Sequence, residues 1–324
     1  MTILDRWNAS VPATRIGLGL AAVGRPGYIN IGHDVDLPQV RSVDALRHRA
    51  QDLLDQAYAA GVRYFDVARS YGRAEEFLAE WLARRDDVDD VVVGSKWGYT
   101  YTADWRVDAE VHEVKDHTVA TFERQLNETR SLLGNRFDLY QVHSVTSDSA
   151  ALTDVPLHRR LAALAAEGVV IGLSTSGPAQ SDAIRAALEV AVDGTPLFRS
   201  VQATWNLLEP SAASALAAAH RAGWLVIVKE ALANGRLARG WPTVANLAGV
   251  AEELGTTADA VALAAVLHQP FATIVLSGAS TSEQLASNLR ASAVRLRPDQ
   301  LSRLETLAEP ADRYWQQRSR LPWV

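Results

Sequence analysis

Cysteine is absent from the 324-residue chain. That excludes disulfides, thiolate nucleophiles and cysteine-ligated zinc. Methionine occurs once, as Met1. A surplus of basic residues is missing as well: 32 Lys and Arg stand against 38 Asp and Glu, a formal net charge of −6. Proteins that grip phosphate backbones carry a basic face, so nucleic acid is not an expected partner. No stretch approaches the ~20 uncharged apolar residues that a membrane span requires. The first residues, MTILDRWNASVPATR, lack the apolar core of a secretory leader. The resulting expectation is a soluble, cytoplasmic protein with no membrane partner.

What the chain does have is apolar content (48%) and length. It is long enough for two ordinary domains, or for one α/β barrel of roughly 250 residues plus insertions. Eight short apolar runs recur from end to end: 15–23, 62–68, 90–96, 137–143, 168–175, 199–205, 224–232 and 273–278. They are nearly continuous in Val, Ile and Leu, as parallel strands covered on both faces require. Between them apolar residues follow helical spacing: Leu46, Ala50, Leu53, Leu54 and Ala57 in one segment, Val119, Phe122, Leu126 and Leu133 in another, Leu157, Leu161 and Leu164 in a third. Gly61, Gly134, Gly168 and Gly223 each stand just before a strand, where a left-handed residue closes a helix. Eight strand–helix alternations without a break in composition predict an α/β fold of the (β/α)8 TIM-barrel type, one domain over residues 1–324. The alternative, an open doubly wound sheet, needs a phosphate fingerprint after the first strand. Gly17-Leu18-Gly19 lacks the third glycine and is followed by loop. Two long loops, 24–42 and 97–117, follow strands one and three, and 309–324 reads as an irregular tail.

Catalytic groups of such barrels sit at the C-terminal strand ends, which converge on one mouth. Asp66, Lys96 and His143 fall at the ends of strands two, three and four, with Tyr71 five residues beyond Asp66. With FDVARSYG (65–72), SKWG (95–98) and DLYQVHS (138–144) in that order, the chain resembles the aldo-keto reductase superfamily. Weaker echoes extend the likeness over roughly residues 14–290. The resemblance implies hydride transfer between NAD(P)(H) and a carbonyl or alcohol. Tyr71 would be the general acid/base, Lys96 would lower its pKa, Asp66 would hold Lys96 charged, and His143 would orient the substrate oxygen. A free tyrosine ionises near 10, and an adjacent ammonium is the expected means of bringing it down.

For the cofactor the resemblance implies nicotinamide contacts at Ser174, Thr175, Gln202 and Lys229. It implies a pyrophosphate seat around Leu232 to Gly235, and an adenosine-end segment with Gly278, Ser280, Gln284 and Asn288. Either NADP or NAD is compatible. Gly278 and Gln284 stand where relatives that prefer NADP carry cations for the 2′-phosphate, and Arg290 is the nearest cation in sequence, which leans away from strict NADP use. Tyr28, Trp97 and Trp205 are candidate pocket walls for an apolar carbonyl compound or a sugar. A non-catalytic nicotinamide-binding protein on the same fold stays open. So does a hydrolase using carboxylates such as Asp34, Asp36 and Glu230. No metal site is expected: His112 and His117 in HEVKDH are five apart, off one helix face, and read as solvated loop. Sequons at Asn8 and Asn127 carry little meaning without a leader.

Overall fold

A computed structural model describes residues 7, 14–37, 40–238 and 245–324. The sequon at Asn8 lies outside them. Eight parallel strands close into a barrel in strict sequence order: β1 (Ile16–Gly19), β2 (Tyr64–Asp66), β3 (Val92–Trp97), β4 (Leu139–Val145), β5 (Val170–Thr175), β6 (Ser200–Thr204), β7 (Leu225–Lys229) and β8 (Ile274–Ser277). β1 seals the ring, pairing Leu18 with Phe65 on one side and Ile16 with Val275 on the other. Gly61, Gly134, Gly168 and Gly223 all have positive φ and end their helices.

Around the barrel run α1 (Val43–Ala59), α2 (Ala74–Ala83), α3 (Val119–Leu133), α4 (Val155–Ala166), α5 (Gln180–Leu188), α6 (Ala213–Arg221), α7 (Ala245–Glu253), α8 (Ala258–Leu267), α9 (Ser282–Leu289), α10 (Pro298–Glu305) and α11 (Ala311–Ser319). The predicted apolar stripes face inward: Leu46, Ala50, Leu53, Leu54 and Ala57 of α1 are all buried. Three segments are more ordered than their composition suggests. The tail contains α11, whose Tyr314 and Trp315 are buried. The first loop contains a helical turn, His33–Asp36. The 97–117 loop is built on an antiparallel hairpin of Tyr99–Tyr101 and Glu113–Lys115. The HEVKDH stretch is therefore hairpin rather than solvated loop: His112 stacks on Trp323 at 4.0 Å, and the buried His117 bonds the His143 carbonyl oxygen at 2.8 Å.

Alternation along each strand decides what faces the barrel axis. Tyr64, Val92, Leu139, Leu225, Ile227 and Ile274 form a cluster of their own, apart from the larger core that holds Phe65, Val93, Tyr140 and Val226 with the helices. Two or four residues further along the first set come Asp66, Lys96, His143 and Lys229. The same parity that fills the barrel with apolar side chains thus aims these polar ones into its mouth. Tyr64 fits because Gly94 stands opposite: a β-carbon there would overlap its hydroxyl.

Candidate active site

The Lys96 ammonium, fully buried, is ion-paired with the Asp66 carboxylate and donates to the Val67 carbonyl oxygen at 3.0 Å. The other Asp66 oxygen accepts from Gln202 Nε2 at 2.8 Å and from the Tyr64 hydroxyl at 3.3 Å. Such a pair persists in a dry interior only when its remaining valences are met, and these bonds meet them. Tyr71 is held over the pair by backbone. Val67 and Arg69 N–H groups continue the ladder onto Gly94 and Lys96, and the Tyr71 N–H bonds Ala68 O at 3.0 Å. Gly72 (φ +59°) turns the chain beneath loop one, where Arg73 N–H bonds Gly24 O at 2.7 Å. Lys96 Nζ lies 4.8 Å from the Tyr71 ring centre. The His143 ring stands edge-on to Tyr71 at 5.5 Å. Just beyond it the β4–β5 register shifts, and Ser144 takes φ +54°. Bulges of this kind re-aim side chains beside functional sites.

Electrostatics sets the resting protonation. Burial pushes the Tyr71 phenol well above the ordinary tyrosine range; Asp66 adds to the push and Arg25 opposes it. This reverses the lowering expected from Lys96: the Asp66 carboxylate offsets that charge at the phenol, and burial itself lowers the Lys96 pKa. Burial, then Lys96, Lys229 and Arg25, drive His143 far below its usual value, so its imidazole is neutral. His143 Nδ1 has no hydrogen-bond partner among the described residues.

From this mouth a cavity of about 420 Å³ extends across the barrel top to Asn288. Asp66, Tyr71, His143, Gln202, Lys229, Leu232, Gly235, Gly278, Gln284, Asn288 and Tyr28 line it, as the sequence predicts. Other candidates lie elsewhere, and strand parity explains most of them. Trp97 follows the inward Lys96 and so points outward, onto Phe122 at 5.1 Å. Trp205 follows the inward Thr204 and packs on Phe271 at 6.0 Å. Thr175 is outward too, its hydroxyl directed at Gln180. Ser174 faces inward, but its hydroxyl accepts the Ser144 N–H at 2.8 Å and it does not line the cavity. Ser280 is spent on Gln284. Arg290 is exposed and off the wall.

Arg25, Trp323 and Arg318 escape sequence reasoning because their contacts join distant parts of the chain, and they complete the surroundings of Tyr28 and Glu230. Arg25, 3% exposed, donates to Ser70 O and to Glu113 Oε2, both at 2.9 Å, beneath the rings of Tyr28, Tyr71 and Trp323. Tyr28 and Val324 exchange backbone bonds of 3.0 and 3.2 Å, which seats Trp323 on the wall. Glu230 takes two bonds from Arg318 Nε at 2.9 Å; burial works to raise its carboxyl, but Arg318 and Lys229 hold it at about 2. Lys115 Nζ donates to Ser144 O at 2.8 Å at the rim. With Glu230 locked to Arg318, Asp34 exposed and Asp36 at the Gln284 end of the cavity, the carboxylates of the hydrolase alternative do not converge. Among the described residues no cluster of His, Asp and Glu is placed to hold a metal. None of their helices is long and apolar enough to cross a membrane.

The sequence pattern of the Aldo/keto reductase family matches residues 45–309. The chain belongs to that family. As an aldo/keto reductase it is an oxidoreductase, and the closed barrel is the family's fold. A curated relative, an aldo-keto reductase of Strobilurus tenacellus, is 25% identical over 91% of this chain and 88% of its own. Among solved structures, the holo form of an aldo-keto reductase from Bacillus halodurans superposes with a TM-score of 0.67 at 20% identity, covering 92% of this chain and 93% of its own. One from Klebsiella pneumoniae, in complex with NADPH, gives 0.66 at 21% identity and covers 90% of each chain.

Proposed function

We propose that the protein transfers hydride between a nicotinamide dinucleotide, NAD(H) or NADP(H), and a small carbonyl or alcohol substrate, with Tyr71 as the proton donor and acceptor. The observation that carries this reading is the buried Lys96–Asp66 pair beneath Tyr71, with a neutral His143 edge-on to the phenol. The cavity suits the cofactor: it is long, and a β-carbon on Gly278 would meet nothing within 4 Å, so backbone there is open to a close-lying ligand. Gln202 and Lys229 would face the nicotinamide, backbone from Leu232 to Gly235 and Gly278 the pyrophosphate, and Asn288 the adenine. When bound, the nicotinamide supplies or accepts the hydride. The residues do the rest. A phenol kept neutral at pH 7 is poised as the proton donor for carbonyl reduction, and the same group takes the proton back when an alcohol is oxidised. Tyr71 gives its proton to the oxygen as negative charge develops there, the His143 ring offers an N–H to the same oxygen, and the positive charges of Lys96 and Arg25 oppose the burial and the Asp66 carboxylate that disfavour the phenolate left behind. Tyr28 and Trp323 would wall the substrate end, which suits an apolar aldehyde or ketone or the flat face of a sugar.

The test is Tyr71→Phe. Turnover on an aldehyde, ketone and sugar panel is expected to fall about 10²–10⁴-fold, while quenching of protein fluorescence by nucleotide persists. Turnover near the wild-type rate would overturn the assignment of Tyr71.

A further inference from the structure

The far end of the cavity carries charge of one sign. Asp36, Asp259 and Glu283 line it, and no lysine or arginine among the described residues does so there; the cationic wall residues, Arg25, Lys229 and Arg318, belong to the Tyr71 end. Asp36 Oδ2 accepts from Gln284 Nε2 at 2.6 Å, and its Oδ1 accepts no hydrogen bond among the described residues. Asp259 is 3% exposed, and its Oδ1 has no hydrogen-bond partner among the described residues. Asp36 therefore brings a carboxylate oxygen with unused acceptor capacity to this end of the cavity, and Asp259 adds buried negative charge to the same wall.

Two of the donors that would welcome an anion here are already taken. The N-terminus of α9 opens onto this end, and such ends bind phosphate through free N–H groups. Here Ser280 N–H bonds Gln284 Oε1 at 2.9 Å, and Gln284 N–H bonds Thr281 Oγ1 at 3.2 Å. Glu283 adds a carboxylate in the first turn. The guanidinium of Arg49 is spent on carbonyl oxygens of Asp36 and Ser280, at 3.2 and 2.9 Å, and is off the wall.

We propose that Asp36 makes this site select NADH over NADPH. It accepts a hydrogen bond from the adenosine ribose 2′-hydroxyl and repels a phosphate ester at that position. The inference rests on the hydride-transfer reading above and adds to it the identity of the dinucleotide. A carboxylate that accepts from a ribose hydroxyl gains a charge-assisted bond, whereas a phosphate beside the same carboxylate brings like charges together in a half-buried place; the nearby Arg49, whose charge favours the ionised Asp36, is bonded to carbonyl oxygens and does not line the cavity. Asp259 carries the negative wall toward Asn288, whose amide donates to Ser277 Oγ at 2.8 Å.

The experiment is titration of the wild-type chain with NADH and with NADPH, read by energy transfer from protein to the reduced nicotinamide, which needs no substrate. NADH is expected to bind tighter by about tenfold or more, a difference of about 1.4 kcal/mol. Asp36→Asn, which keeps the shape and the Gln284 contact, is expected to narrow the ratio, and Asp36→Arg to invert it; circular dichroism checks that both fold. Equal or tighter binding of NADPH by the wild type, or a ratio unmoved in both variants, would overturn the role of Asp36 while leaving hydride transfer intact. Failure of both nucleotides to bind would overturn the hydride-transfer reading itself, and this inference with it.

Discussion

Tyr71, Lys96 and Asp66 respond differently to substitution because only two of them carry buried charge. Lys96→Met leaves the Asp66 carboxylate, 2% exposed, without its cation, and breaking a buried pair from one side costs about 3–5 kcal/mol. The expected outcome is a large fall in denaturation midpoint. Adding Asp66→Asn restores much of the stability and none of the turnover; stability that stays low in the double variant would show that the pair does not behave as a unit. The placement of these three residues and of His143 was legible in the sequence, because Asp66, Lys96 and His143 lie at strand ends and Tyr71 follows Asp66 by five. The direction of the Tyr71 shift was not. A single cation suggests lowering, whereas the fold adds full burial and a carboxylate whose effects outweigh it. Trp97 and Trp205 lie off the cavity for a simpler reason: composition marks an aromatic near a strand end, but strand parity decides which side it faces. Counting by twos from Lys96 and from Thr204 places both outside the barrel.

At the scale of elements, the hairpin after β3 and the segment after α11 do what composition hides. Gly- and Asp-rich stretches read as loop, yet Tyr99–Tyr101 and Glu113–Lys115 pair across the mouth, and α11 sends Arg318 to Glu230. Contacts between residues almost 90 positions apart in the chain leave no local signal. Removing residues 320–324 takes away Trp323 and the Tyr28–Val324 bonds while sparing α11. The KM for carbonyl substrates is expected to rise several-fold, with little change in melting temperature or in nucleotide affinity. A loss of nucleotide binding instead would assign that segment to the cofactor end. Inside the barrel, Gly94→Ala drives a methyl group into Tyr64. Overpacking costs about 1–3 kcal/mol, and displaced Tyr64 also loses its bond to Asp66, so stability and turnover should fall together.

For the whole molecule, closure matters more than any one contact. The ring has no free edge strand to pair with another chain, and its order could be foreseen from eight repeating apolar runs. Acid sensitivity is a property of the assembled structure. Burial lowers His117 to about 4, so between pH 6.5 and 4 the unfolded chain binds a proton that the folded one refuses. Its contribution is complete above pH 6.5 and is lost as pH falls toward 4, on the order of 3 kcal/mol. Thermal denaturation across that window should show the decline, and His117→Gln should make it shallower, the remainder coming from His143, whose pKa is lowered too; an unchanged slope would refute the part assigned to His117. The three ends of strand and hairpin that bear ammonium groups have one more consequence. Lysine occurs only at 96, 115 and 229, and Lys115, the exposed one, sits on the rim. Amine-reactive dyes, cross-linkers and resins will therefore attach beside the entrance and obstruct it, whereas the arginine-covered exterior offers them almost no foothold.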